Sequence, residues 1–346
     1  MDDAGGGRRG LRAAPSPELF EALRDGYGID GARGWRDLGG SSSLNLLVLC
    51  DNVRYVVRVY RPHMTAARLA DIQLVRRHLA AAGVPCSLPV PMRDGRSWCV
   101  AGARLVEVER FIAWDEAMDT WERLGSGLGL LGRIHTLLRG VEVSADSRTP
   151  MFANYIAPQE ALGGTLRGTQ RIRGWGPSPA EARLANDAEE LARLVAAAEQ
   201  DLAPALPRQL VHGDFWDNNV LFHAGQVALI TDLDFMGERA RIDDLALTLY
   251  FVNSTFADDP LSDDSLGRLR ALVAAYDQGL ADPLSGAERA ALPLAIARQP
   301  LWSLGGWVVL LDDKGLARQH AAGMVNAVGW ALRLMRDLDR WQAAFA

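Results

Sequence analysis

A short polar segment with apolar residues on both sides, LVHGDFWDNNVLF at 210–222, holds the side chains of this chain that are best suited to chemistry. Asp214 precedes Asn219 by five positions, and Asp232 follows Asn219 by thirteen. Mg²⁺ prefers oxygen ligands and often binds one or two protein groups together with substrate phosphates. A carboxylate beside such a metal can accept the proton of a hydroxyl group. The segment therefore predicts metal-assisted phosphoryl transfer.

The residues after this segment predict how the oxygen ligands meet. Two apolar runs flank His223–Gly225, which is typical of a β-hairpin. A turn near this point pairs Asn219 with Ile230 and leaves Asp232 just past the end of the returning strand. The two ligands would then lie at the open end of one hairpin, with Asp214 on the connecting loop. The alternative is a polar turn cluster, in which Asp caps loops and Asn forms turns.

The first third of the chain predicts a small antiparallel sheet with one helix. Ser16-Pro17 starts an initial helix that Gly26 can close. Strand-like runs begin at Trp35, and Asp51-Asn52 is a turn signal between two of them. Residues 66–83 have helical spacing of apolar residues, and further strands are expected over 84–100 and 103–112, around a turn at Asp94-Gly95.

The rest of the chain, apart from residues 210–235, is mostly helical in pattern. Helices are predicted over 121–138, 179–202, 266–278, 286–297 and 317–345. We therefore expect an α+β protein divided into a flexible tail at 1–15, a sheet-containing part at 16–110 and a mainly helical part at 111–346.

Composition narrows the class of protein. A length of 346 residues predicts about two domains. A net charge of −6 offers no broad attraction for nucleic acid, and the N-terminus has no apolar signal region. Three cysteines without CxxC spacing fit a reducing cytosol and argue against zinc. We expect a cytoplasmic monomer or dimer with no nucleic-acid and no membrane partner.

One motif in the chain is misleading. Gly127, Gly129 and Gly132 match the GxGxxG pattern of dinucleotide-binding loops. That function requires a strand before the glycines and a helix that opens at them, whereas the pattern here is helical on both sides. Small residues that allow close helix packing are the better interpretation, and His135 in the same helix is interpreted as structural.

Three motifs together carry a resemblance to a known family. HGDFWDNN at 212–219, ITDLDF at 230–235 and RIDDLALTL at 241–249 resemble the aminoglycoside phosphotransferases and the choline and homoserine kinases. The resemblance covers roughly residues 16–345, most specifically 210–250. It implies a bilobal protein-kinase-like fold, with a small antiparallel N-lobe and a larger, mainly helical C-lobe.

The resemblance implies a role for each residue of the polar segment. Asp214 is the catalytic base, and Asn219 and Asp232 hold Mg²⁺ against the phosphates of ATP or GTP. His212 supports the catalytic loop, and Asp244 is the buried acid that braces this loop.

The resemblance also implies a nucleotide-covering loop in LGGSSSLN at 38–45. Gly40 lets the backbone approach phosphate closely, and Ser41, Ser42 and Ser43 can donate N–H and O–H groups. A surface hairpin loop is the alternative for this stretch taken alone.

Two further nucleotide contacts follow from the resemblance. Arg58 occupies the strand position at which protein kinases place a lysine, and the only lysine of this chain is Lys314. No glutamate lies on the helix that follows, so the acidic partner of Arg58 is unassigned. LVEVERF at 105–111 would be the hinge between the lobes, where backbone groups of Glu107 and Val108 meet adenine; a plain edge strand is the alternative.

The acceptor stays open at this level. The acidic run at 257–264 and the pair Asp312-Asp313 could attract a cationic small molecule such as an aminoglycoside, or could simply be solvated. Homoserine-like and choline-like acceptors are also compatible. Four tryptophans line an acceptor cleft or belong to the core: Trp302, Trp307, Trp330 and Trp341. The competing hypothesis is a catalytically silent kinase-fold binding module, which the missing strand lysine would support.

Overall fold

The computed structural model describes residues 12–30, 34–40, 42–150 and 154–346. These residues form two compact units. The first comprises the described residues up to Asp115 together with Leu221–Thr231, and the second comprises Glu116–Val220 and Asp232–Ala346. The sequence predicted one boundary at residue 110, which would place the segment 221–231 in the helical part. In the structure, the contacts of this segment assign it to the first unit.

The first unit is built on an antiparallel sheet. Its elements along the chain are α1 (Pro17–Tyr27), β1 (Trp35–Gly39), β2 (Leu44–Cys50), β3 (Val53–Val59), α2 (Ala66–Ala81), β4 (Cys99–Ala101) and β5 (Arg104–Arg110). In the described part of the chain the strands lie in the order β1-β2-β3-β5-β4. The initial helix and the helix predicted over 66–83 are both present, as α1 and α2.

Helix α1 begins where the sequence predicted and ends two residues later than expected. The Ser16 hydroxyl accepts the Leu19 N–H and caps the N-terminus. Gly28, with φ 74°, adopts the left-handed conformation that ends the helix, so Gly26 lies inside it. Leu19 and Leu23 are buried in the same core cluster as the sheet, which fixes α1 in this unit.

The predicted turn between β2 and β3 is confirmed. Asp51 and Asn52 have φ values of 49° and 64°, as the tight hairpin turn with two left-handed residues requires. Along β2, Leu44, Leu46 and Val48 are fully buried. This alternation places one face of the sheet against the core.

The strand predicted over residues 84–100 was wrong for most of its length. Only isolated bridges form there, between Cys86 and Ile230 and between Pro89 and Glu109. Prolines interrupt this stretch, and proline removes a backbone donor that a sheet needs. The stretch has another role, because the Pro85 carbonyl accepts the N–H of Ile230 and so binds the segment 221–231 to the first unit.

The second stretch of the chain is mainly helical. Its first elements are β6 (Glu116–Ala117), α3 (Trp121–Leu138), α4 (Ala145–Arg148), α5 (Pro158–Gly174), α6 (Pro179–Glu199) and β7 (Arg208–Val211). The predicted hairpin follows, as β8 (Val220–His223) and β9 (Gln226–Ile230), with Ala224 and Gly225 at positive φ in its turn. The last elements are β10 (Gly237–Ala240), α7 (Arg241–Phe256), α8 (Asp263–Gly279), α9 (Gly286–Gly305), α10 (Trp307–Leu310), α11 (Lys314–Gly323), α12 (Val325–Arg336) and α13 (Leu338–Phe345).

Several helices differ from the predicted ones. The helix predicted to stop at residue 297 continues to Gly305 through Pro300. The helix predicted over 317–345 is three helices, which break near Met324 and Asp337. Helices α5 and α7 were missed. Helix α7 is buried on nearly every side, so it lacks an amphipathic pattern, and the glycines of α5 lower its helix propensity.

The glycines of the GxGxxG motif lie inside α3 and allow α8 to approach closely. A Cβ atom at Gly132 would lie 2.1 Å from the carbonyl oxygen of Tyr276, and one at Gly279 would lie 1.9 Å from that of Gly129. The motif is therefore a packing feature, as its helical context predicted. None of the described helices combines the length and apolarity needed to cross a bilayer.

We expect Gly132→Ala to destabilise the protein by about 1–3 kcal/mol, because the backbone of α8 must move to admit the methyl group. Gly125→Ala is the matched control in the same helix, since no atom lies within 4 Å of the added Cβ. Gly125→Ala should instead stabilise by about 0.5–1 kcal/mol. Urea denaturation of both variants tests this, and equal effects would contradict the packing role.

Candidate active site

The catalytic loop begins where β7 ends. β7 pairs antiparallel with β10, so Val211 lies opposite Gly237, and the chain then turns through Gly213. Gly213 has φ 87°, and a Cβ at this position would lie 2.1 Å from the Phe235 carbonyl oxygen. Only glycine fits both this conformation and this close approach, which brings the loop against the segment that follows Asp232.

The carboxylate of Asp244 holds this loop in place through hydrogen bonds. Its carboxylate accepts the backbone N–H groups of His212 and Gly213, both at 3.0 Å, and a third hydrogen bond from His135 Nε2 at 3.1 Å. Burial alone would raise the pKa of Asp244, but the hydrogen bond from His135 and the neighbouring positive charge of Arg239 hold the pKa below its usual range. Asp244 is therefore a fully buried carboxylate with three donors.

His135 is part of this anchor, which the sequence alone did not reveal. Its Nδ1 lies 2.7 Å from the Tyr276 hydroxyl. Because a carboxylate only accepts, Nε2 must carry the proton that points to Asp244. Gln209 donates to the His135 carbonyl at 2.6 Å and ties β7 to the same helix.

Asp214 is held on both carboxylate oxygens. Asn154 Nδ2 donates to Oδ1 at 2.6 Å, and Asn219 Nδ2 donates to Oδ2 at 3.0 Å and to the Asp214 carbonyl at 2.8 Å. Burial raises the pKa of Asp214 to about 7, and the negative charge of Asp232 adds to the shift. The structure therefore brings Asp214, Asn219 and Asp232 together, and it adds Asn154, which no motif indicated.

His212 is fully buried beside this carboxylate. Its Nδ1 accepts the backbone N–H of Asp214 at 3.3 Å, and its ring lies edge-on to Phe215. The backbone N–H of His212 donates to Asp244, so His212 connects Asp244 to Asp214.

The residues around Asn219 fit a divalent cation. Asn219 is 4% exposed, and because its amide nitrogen is used by Asp214, its Oδ1 points elsewhere; no described residue donates to that oxygen. Asp232, at φ 62°, lies near enough for its charge to act on Asp214. The described residues contain no cluster of three or more His, Cys, Asp or Glu side chains suited to a metal. A cation here would therefore take few protein ligands, as Mg²⁺ bound to substrate phosphates does.

In the first unit, two glycines with positive φ lie at the end of β1, before β2, where a ligand could approach the backbone closely. Gly39 and Gly40 have φ values of 89° and 112°, and a Cβ at Gly40 would lie 2.4 Å from the Ser43 carbonyl oxygen. Ser42 is half-buried, and the buried hydroxyl of Ser43 has no hydrogen-bond partner among the described residues. Ser41, the fourth predicted residue of this loop, lies outside the described residues.

Arg58 is buried on β3 within the first unit. Its Nη2 donates to the Thr231 hydroxyl at 3.1 Å. Burial alone would raise the pKa of Glu109, but the charges of Arg76 and Arg58 hold it below its usual range. Glu109 of β5 is thus an acidic neighbour of Arg58, a relation that the sequence left unassigned.

Helix α2 contributes a cation where protein kinases have a glutamate. Arg76 forms ion pairs with both Glu107 and Glu109, which project from β5. Gln73 and Tyr60 also donate to Glu107. Helix α2 and strand β5 are therefore joined by a buried network of one arginine and two glutamates.

Glu107 and Val108, the predicted hinge residues, lie within the sheet. Both are in the middle of β5, where they pair with Arg58 and Val57 of β3. The Val108 carbonyl also accepts the N–H of Val90 at 2.7 Å. Their contact with adenine stays a prediction.

Comparison with known proteins agrees with this geometry. A family model described as "Phosphotransferase enzyme family" matches residues 13–289. A homoserine kinase of Acidiphilium cryptum (strain JF-5) is 25% identical over 313 residues, which cover 87% of this chain and 90% of the relative. Among solved structures, a microcompartment-associated aminopropanol kinase aligns with a TM-score of 0.69 at 21% identity, over 92% of this chain and 97% of that one.

A second solved structure, an amicoumacin kinase in complex with AMP-PNP and Ca²⁺, aligns with a TM-score of 0.67 at 15% identity, over 92% of this chain and 94% of that one. These likenesses confirm the predicted kinase-like fold, with an antiparallel sheet in the N-terminal part and helices in the remainder. Since the family model spans most of the chain, this protein belongs to the phosphotransferase enzyme family.

Proposed function

We propose that this phosphotransferase moves the γ-phosphoryl group of ATP or GTP, with Mg²⁺, to the hydroxyl group of a small amino alcohol. The observation that carries the proposal is the fixed Asp214 carboxylate, which Asn154 and Asn219 hold on both oxygens. A base positioned this firmly can orient an acceptor hydroxyl and take its proton as the phosphoryl group moves in line.

The roles of the other residues follow from their contacts. Asn219 Oδ1 and the Asp232 carboxylate would hold the cation, which supplies charge neutralisation at the phosphates. Such a cation would also lower the raised pKa of Asp214, because a nearby positive charge favours the carboxylate. His212 and Asp244 keep the loop in place.

Residues of the first unit would bind the nucleotide phosphates. The backbone of the β1–β2 loop at Gly40 and Ser42 and the hydroxyl of Ser43 would donate to phosphate oxygens. Arg58 would supply the positive charge of the lysine that this chain lacks. Two observations support this assignment: the positive φ of Gly40, and the buried Ser43 hydroxyl, to which no described residue is hydrogen-bonded.

An amino-alcohol acceptor is supported by the relatives and by one aromatic pair. The homoserine kinases and the aminopropanol kinase act, by name, on hydroxyl compounds that carry an amine. Trp216, two positions after Asp214, packs against Phe251 with ring centroids 5.0 Å apart, and both side chains are half-buried. Aromatic faces attract ammonium groups, so this pair would suit the amine.

The features first considered for a cationic antibiotic have local explanations. In the acidic run, Ser262 caps α8, and Asp263 and Asp264 form ion pairs with Arg340 and Arg268. Trp330 and Trp341 are core residues, whereas Trp302 and Trp307 are half-buried. The remaining support for an antibiotic acceptor is therefore the fold that this chain shares with the amicoumacin kinase.

Asp214→Asn should lower the transfer rate by about 10²–10⁴, because the base is lost while the side-chain shape is kept. Nucleotide affinity, measured by calorimetry, should not change. Asp217→Asn, on the same loop, is the matched control and should keep the rate. Near-normal turnover of Asp214→Asn would refute the assignment of the base.

Removal of divalent cations with EDTA should abolish transfer, and Mg²⁺ should restore it. Groups that merely hydrogen-bond to a metal ligand already change affinity by about 10–100-fold, so loss of a direct ligand in Asn219→Ala should raise the Mg²⁺ requirement at least as much. Mg²⁺-dependent nucleotide binding gives the readout, and exposed Asn218→Ala is the control. Equal behaviour of the two variants would remove Asn219 from the metal site.

The acceptor is tested by measuring kcat/KM for transfer to homoserine, 1-amino-2-propanol, choline, an aminoglycoside and amicoumacin. We expect the highest value for an amino alcohol. If an antibiotic is the sole acceptor, the amino-alcohol proposal is wrong while the phosphotransferase assignment stands.

A further inference from the structure

The chain between α4 and α5 supplies Asn154, whose amide nitrogen lies 2.6 Å from Asp214 Oδ1. Asn154 belongs to neither a helix nor a strand. Its φ of 60° is a left-handed conformation that asparagine adopts more readily than most residues. A side chain outside regular structure is held by the packing of the residues around it, so the contacts of its chain neighbours determine where the Asn154 amide lies.

Residues on both sides of Asn154 pack against strand β10. A Cβ atom at Gly237 would lie 2.6 Å from Pro150 Cα, so the strand approaches Pro150 closely. Two positions further along β10, the Arg239 guanidinium lies over the Tyr155 ring, with 4.3 Å between the guanidinium carbon and the ring centroid. Positions 237 and 239 share one face of the strand, because side chains alternate in direction along it. This face therefore supports the chain before and directly after Asn154.

Arg239 also contacts the backbone that faces the catalytic loop. Its Nη2 donates to the Phe235 carbonyl at 3.1 Å. A Cβ atom at Gly213 would lie 2.1 Å from the same carbonyl oxygen and 2.8 Å from Arg239 Nη2. One guanidinium thus joins the Tyr155 ring to the backbone that faces Gly213, the residue before the proposed base.

The ring of Tyr155 is a main contact of this guanidinium. Arg239 is fully buried, and its Nε and Nη1 atoms donate to no described residue. A buried cation with few hydrogen bonds is costly unless other groups stabilise it. The charge of Asp244 attracts it, and the negative face of the Tyr155 ring does so at closer range. The Tyr155 hydroxyl is buried and has no hydrogen-bond partner among the described residues, so the ring alone makes the contact.

We propose that Tyr155 and Arg239 are positioning residues for the phosphoryl transfer. The Arg239 guanidinium holds the Tyr155 ring against the catalytic loop. The ring in turn keeps the Asn154 amide on the Asp214 carboxylate. Without this contact the amide can move away, and Asp214 then loses one of its two side-chain donors and its single orientation. The inference rests on the proposed role of Asp214 as the base.

The test measures kcat, KM for the preferred acceptor and nucleotide affinity with the full chain. Tyr155→Leu removes the ring and should lower kcat by about 10–100-fold, because a displacement of about 1 Å at a catalytic group can cost about 10²-fold. Nucleotide affinity, measured by calorimetry, should not change. Tyr155→Phe keeps the ring and should restore most of kcat, because the hydroxyl that it lacks binds no described residue.

Trp175→Leu is the matched control. The Arg318 guanidinium carbon lies 5.3 Å from the Trp175 ring centroid, so this variant removes another arginine–ring contact of the second unit. Trp175 directly follows α5, whose 17 residues place it roughly 25 Å from the N-terminal end of that helix, near Tyr155. Trp175→Leu should therefore lower the midpoint of thermal unfolding without lowering kcat.

A double-mutant cycle separates positioning from general destabilisation. Asn154→Gly removes the amide and leaves the left-handed backbone conformation accessible. In that background, Tyr155→Leu should lower kcat no further, because the ring acts through the missing amide. Arg239→Lys keeps a positive charge and a donor for the nearby carbonyl but loses the planar face, so it should behave like Tyr155→Leu. It replaces Tyr155→Leu in the cycle if thermal unfolding shows that the leucine variant does not fold.

Four results would overturn the proposal. These are a normal kcat in Tyr155→Leu, a normal kcat in Asn154→Gly, equal losses in Tyr155→Leu and Tyr155→Phe, and a full further loss when Tyr155→Leu is added to Asn154→Gly. Asp214→Asn distinguishes them from a failure of the proposed function. If Asp214→Asn keeps near-normal turnover, the assignment of the base fails; if it loses turnover and one of the four results is found, only the positioning role fails.

Discussion

The catalytic loop depends on one buried carboxylate and its three donors. A carboxylate without solvent is costly to bury unless hydrogen bonds and positive charge compensate it, and Asp244 receives both. Because two of its donors are consecutive backbone N–H groups, the carboxylate fixes the position and orientation of the backbone at His212 and Gly213. The position of Asp214 on the next residue is a consequence of this anchor.

Arginine carries almost all of the buried positive charge in this chain, which has a single lysine. Arg76 bridges Glu107 and Glu109 in the first unit, and Arg298 bridges Glu199 and Asp243 in the second. A planar guanidinium has several donors in fixed directions, so it can serve two carboxylates at once, which an ammonium group does less well. The arginine at position 58 of β3, where protein kinases have a lysine, is in keeping with this use of arginine throughout the chain.

Much of the fold could be predicted from local pattern. The β2–β3 turn, the hairpin at Ala224-Gly225 and helix α3 follow from turn residues and periodicity. The errors have physical causes: residues 84–98 resemble strands in composition but contain prolines, and α7 is buried on all sides and so shows no periodicity. Residue types do not show which backbone groups a sheet uses, so the pattern alone did not reveal that Glu107 and Val108 pair with β3.

By itself, the sequence determined which groups the candidate site contains, because Asp214, Asn219 and Asp232 lie within nineteen positions of a chain that a phosphotransferase family model matches. The tertiary structure decided how these groups are held. Asn154 reaches Asp214 from 60 positions away, and His135 reaches Asp244 from 109. Side chains so distant in sequence leave no spacing signal, because only the tertiary packing of the chain brings them within hydrogen-bonding distance.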